Sequence, residues 1–149
     1  MSVALLRILE HIHGHLGWLC VAALLHPAII LRNPKRRARL SVSLATLLAV
    51  VAGLMGGTIY PEYRIRLKQA IFINAPRLGW CFERKEHLAV GAIGFALIGC
   101  IAHLSVKSFE DEGTRELLAK TAHRAYVVSS ALALILAVLG VAVASYSTF

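Results

Sequence analysis

Residues 5–31 read LLRILEHIHGHLGWLCVAALLHPAIIL. A run of about 20 predominantly apolar residues is enough to cross a hydrocarbon core. Yet this one carries Glu10 and four imidazoles, His11, His13, His15 and His26. An ionisable side chain in a spanning helix is costly and normally faces a bundle interior, a cavity or a cofactor. The run does not read as a cleaved leader, because Glu10 and the histidines break its front half and no small-residue cleavage site follows. It is expected to be a retained spanning helix.

Three further segments qualify as spans, at about 40–60, 86–106 and 124–146. The 149 residues are 58% hydrophobic and 16% charged, whereas a soluble domain carries about 25% charged residues. A soluble enzyme and a disordered chain are both disfavoured. The expected fold is all-α, an integral membrane up-down four-helix bundle forming a single transmembrane domain over 1–149. Pro61 is the expected stop of the second span. Residues 61–85 then form a long surface loop, rich in aromatic and basic residues, with a short helix over 62–74. Gly53 and Gly57 form a G-x-x-x-G pair suited to close helix packing.

The formal charge of +8 fits basic loops beside a bilayer better than nucleic-acid binding, which is not expected. Residues 32–39 hold Arg32, Lys35, Arg36, Arg37 and Arg39 and no acid. Placing this loop inside puts both termini outside, in a bacterial inner membrane. The acids Glu110, Asp111 and Glu112 suit the start of a short helix in the second inner connection.

Cys20, Cys81 and Cys100 are widely spaced and form no zinc or disulfide pattern. The histidines are the chemistry to explain. At about 100° and 1.5 Å per residue, His15 and His26 fall within about 20° of one helix face and roughly 16 Å apart. By depth, His26 matches His103 on the third span, and His87 matches His11 better than His15. The first and third spans are diagonal neighbours in an up-down bundle, so each pair could flank a flat macrocycle. His87 and His103 lie about 160° apart on a straight helix, so a distortion, or His123 replacing His103, is needed for two sites. His13 points about 200° from His15 and is left without a role. A rival constellation, Glu10, His11, His13, Glu62, Glu83, Glu86 and His87, gathers at the outer side and suits a non-haem metal.

Four spans, paired histidines toward opposite leaflets and adjacent glycines resemble the broad class of four-helix, haem b-binding membrane cytochromes. The resemblance implies one or two b-type haems held by His26, His103, His15 and His87, with His11 and His123 as further candidates. It also implies electron exchange with a quinone or with other subunits of a membrane redox complex. On this reading the chain is more a redox subunit than a complete enzyme. The alternatives are a cofactor-free structural or assembly subunit and a non-haem metal-binding membrane protein.

Overall fold

The computed structural model describes residues 2–145. Its elements are α1 (Val3–Ile30), α2 (Arg39–Tyr63), α3 (Gln69–Asn74), α4 (Pro76–Ser105) and α5 (Glu112–Ala144). No strand occurs among the described residues. Ser2 caps α1 by accepting from the Leu5 N–H at 3.3 Å, and Asp111 caps α5 by accepting from the Thr114 N–H at 2.7 Å. Such side-chain caps satisfy helix N–H groups that lack an intrahelical partner.

Four helical stretches are long and apolar enough to cross a membrane, with α2 and α3 together forming the second. The protein is an integral membrane four-helix bundle. α1 and α4 each pack against both α2 and α5. α1 therefore faces α4 across one diagonal, and α2 faces α5 across the other. The end bearing the 31–38 and 106–111 connections is termed inner, following the basic charge of the first.

Two differences from the expected bounds matter. Pro61 does not end the second span. The helix runs through it to Tyr63, widens into a π turn at Arg64–Lys68, and continues as α3 to Asn74. A proline removes one ladder hydrogen bond and crowds the carbonyl four residues back. Here that residue is Gly57, which has open space beside it, and the wider turn absorbs the change of register. Secondly, α4 begins at Pro76, ten residues before the expected start. Residues 61–85 thus form a helical hairpin in place of a loop. Its arms close on Leu67, Ile71 and Phe82, which join Val143 of α5 in a small outer core. Phe82 stacks on Tyr60 and Tyr63 at 6.3 and 6.2 Å between ring centroids, and Lys68 pairs with Glu83 across the hairpin. The inner acidic segment opens α5 itself, which runs unbroken from Glu112 to Ala144; residue 146 lies outside the described residues.

The main core occupies the middle and inner half. It is built from Leu24, Val42, Ala45, Ala49, Ala96, Ala122, Ala133 and the fully buried Tyr126. Small residues let the backbones approach closely, as lipid-embedded packing requires. At Gly99 the approach is so close that a Cβ would stand 2.8 Å from the Tyr126 ring. The tyrosine reaches across the α5–α2 diagonal. Its hydroxyl donates to the Val42 carbonyl at 3.0 Å and meets the Thr46 hydroxyl at 2.8 Å. Thr46 in turn donates to the Ala96 carbonyl of α4 at 3.2 Å, and Ser129 donates to that of Ala92 at 2.8 Å.

Candidate functional site

On α1 the inward register is Leu6, Cys20, Leu24, Pro27 and Leu31, all buried. His13 lies on it, seven residues before Cys20, which is nearly two full turns. Its ring comes within 3.1 Å of where a Cβ on Gly56 of α2 would stand. The other three imidazoles of α1, His11, His15 and His26, are exposed on the bundle exterior, and so is His87 on α4.

Hydrogen bonds set how these exposed rings present themselves. His11 Nδ1 lies 2.7 Å from the Arg7 carbonyl, and His87 Nδ1 lies 3.2 Å from that of Glu83. A carbonyl only accepts, so Nδ1 carries the proton and Nε2 keeps its lone pair. His26 Nδ1 is held by the Ser41 hydroxyl at 2.6 Å. His103 is half-buried, and its Nε2 accepts from the Ala38 N–H at 3.4 Å. His123 is half-buried beside the inner end, with its Nδ1 shielded from solvent and without a hydrogen-bond partner.

The depth match of His26 and His103 is visible, since both engage the beginning of α2, at Ser41 and Ala38. Neither is aimed into a space between α1 and α4. That space is crossed by Tyr126 and its bonds to Val42 and Thr46. Tyr126 thus fills the interior at the depth of Val42 and Thr46. His87 and His11 or His15 stand on outward faces of diagonal helices, and the bundle does not bring them together.

What the fold does assemble is a polar cluster in the outer half of the bundle, with residues from three helices and the floor of the fourth. Glu10 of α1 accepts from the Tyr63 hydroxyl of α2. Lys85 of α4 lies in the fields of Glu10 and Glu86, and His13 lies in the field of Lys85. The Lys85 Nζ reaches to within 3.4 Å of where a Cβ on Gly140 of α5 would stand. Glu86 bonds the Tyr60 hydroxyl, while its Oε1 is shielded from solvent and unbonded, as is His13 Nδ1. Arg64 and Lys68 add positive field at Tyr60 from the π turn. Buried polar groups without partners are rare in folded proteins and call for an explanation.

Of the rival outer constellation, the cluster takes Glu10, His13 and Glu86. Glu62 pairs with Arg66 at 2.7 Å and Glu83 with Lys68. Among the described residues, no three His, Cys, Asp or Glu side chains form a metal-holding group. The basic group reaching across this cluster is the Lys85 amine. Sequence reasoning missed Lys85, Tyr60 and Tyr63 because it assigned them to a surface loop or its edge. The signal for His13 was present in its helical spacing: three residues from Glu10, seven from Leu6 and Cys20, and eleven from Leu24.

The class these observations define is an integral membrane four-helix bundle with an ionisable cluster in its outer half. Comparison with protein families, with characterised proteins and with solved structures gives no match.

Proposed function

We propose that this chain is a proton-exchanging subunit of a membrane complex, working at the outer leaflet of a bacterial inner membrane with both termini outside. The observation that carries the reading is Lys85, whose Nζ reaches Gly140 of α5 and which lies in the fields of Glu10, Glu86 and His13. Ionisable residues placed this way in membrane proteins mark proton relays and ion pathways. Protonating Glu86 turns an acceptor-only carboxylate into a donor, and an imidazole with a free ring nitrogen can take up or pass on a proton. The inner half, closely packed with Tyr126 and small residues, directs the exchange to the outer side. A partner that performs redox chemistry on a quinone would need such an exchange, because quinone reduction takes up protons with its electrons.

The test is net proton uptake by the purified protein in nanodiscs after small pH steps. Wild type is expected to bind more protons over the full set of steps than Lys85→Met or Glu86→Gln. Equal uptake by all three proteins overturns the reading.

A second reading, the b-type cytochrome, draws on the exposed rings of His11 and His87, whose Nε2 atoms keep a lone pair, and on the exposed His26. A haem would then lie on the outside of the bundle and be completed by another subunit. A reduced-minus-oxidised difference spectrum of protein expressed with haem tests it, and a flat spectrum removes it.

A further inference from the structure

A groove of about 180 Å³ runs along the membrane-facing seam of α4 and α5, lined by Phe95, Ile98, Thr121, Arg124, Ala125 and Val128. Its polarity is ordered along the bundle. Gly99 packs against Ala125 and Tyr126, which fixes the register of the two antiparallel helices. Thr121 and Arg124 therefore sit at the inner end of the groove, and Phe95 and Val128 lie deeper toward the midplane. From Thr121 to Val128 the helix rises roughly 10 Å. Polar at the headgroup end and apolar toward the midplane, the groove runs in the same sense as a phospholipid of the inner leaflet.

The charge at its mouth is uncommitted. Lys120, one turn away, is paired with Glu116 at 2.6 Å, and no acid pairs with Arg124 among the described residues. A planar guanidinium binds phosphate oxygens in bidentate fashion, and basic sites between spanning helices favour anionic headgroups. The Thr121 hydroxyl beside it can donate a further bond. The same end carries Arg32, Arg36, Arg37, Arg39 and Lys107, and its acids Glu110, Asp111, Glu112 and Glu116 lie at or before the first turns of α5, on the far side of Thr121 from the groove.

We propose that this groove holds an anionic phospholipid, with an acyl chain along Phe95, Ile98 and Val128 and the phosphodiester on Arg124 and Thr121. The lipid seals the α4–α5 seam on the side away from the ionisable cluster. This site stands independently of the proton-exchange reading.

Native mass spectrometry of the protein released from bilayers of equal phosphatidylglycerol and phosphatidylcholine tests it. Wild type is expected to retain phosphatidylglycerol in preference, and Arg124→Gln to lower that preference about tenfold, equivalent to ~1.4 kcal/mol. Val128→Trp, which fills the groove from the membrane side without touching the buried core, is expected to abolish retention. Excess inorganic phosphate is expected to leave retention intact. Equal retention of the two lipids, an unchanged preference in Arg124→Gln, or displacement by phosphate alone would each overturn the proposal.

Discussion

Replacing Gly99 by alanine tests the packing that closes the inner half of the bundle. The new Cβ would stand 2.8 and 2.9 Å from Tyr126 Cε2 and Cδ2 and 3.3 Å from the Ala125 Cβ. Carbon atoms prefer about 3.5–4.0 Å, so the ring must retreat by about 0.7 Å or more. It has nowhere to go, being fully buried and held at its hydroxyl by Val42 and Thr46. Overpacking of this kind costs about 1–3 kcal/mol, and a displaced hydroxyl loses about 1 kcal/mol more. The expected destabilisation of Gly99→Ala is therefore about 2–4 kcal/mol, read as the shift in an equilibrium unfolding curve in mixed micelles. In a Tyr126→Leu background the clash partner is gone, and the same substitution should become nearly neutral. That difference is a coupling energy of the size neighbouring residues show, about 0.5–3 kcal/mol. If Gly99→Ala costs the same in both backgrounds, the Tyr126 plug is not what closes the core.

Three further outcomes are expected. Gly79→Ala would bring a Cβ to 2.9 Å from the Phe72 ring and should open the outer hairpin, with Trp80, which packs edge-on to Phe72 at 5.9 Å, reporting the change by fluorescence. An unaltered Trp80 signal would count against the hairpin. Hydrogen bonds from the hydroxyl and backbone N–H of Thr114 hold the Asp111 carboxyl below the usual aspartate range. A lowered native pKa means stabilisation present above the unfolded value and lost as pH falls through the native one. The start of α5 should thus fray on acidification, seen as faster amide exchange at Thr114 and Arg115, and Asp111→Ala should remove the pH dependence. His103→Ala should free the Ala38 N–H and speed exchange in the first turn of α2, while leaving any haem spectrum unchanged; a lost haem band would restore His103 as a ligand.

The spans were readable from apolar length, because no other reading accommodates such runs. Which face of each helix turns inward was harder to see. In a soluble helix, hydrophobicity separates core from solvent, but in lipid both the core and the exterior are apolar. Leu24 is buried while Leu25 is exposed, and nothing in the residue type separates them. The pairing of His26 with His103 rested on depth, and depth was informative: both reach the start of α2. Depth carries no information about facing, however, and the faces turned out to be set by close-packing of Cys20, Ala28, Ala96 and Gly99. The 61–85 segment was obscured by Pro61, whose usual helix-breaking effect is offset by Gly57 and the π turn. That misjudgement detached Tyr60, Tyr63 and Lys85 from the bundle and hid the cluster to which His13 belongs.

Infrared difference spectroscopy across a pH step in nanodiscs reads whether Glu10, His13, Lys85 and Glu86 exchange protons as a unit. The expected signal is a protonated-carboxyl band that Glu86→Gln or Glu10→Gln removes or shifts, and that Lys85→Met moves along the pH axis. A carboxyl signal identical in wild type and all three variants would contradict that exchange.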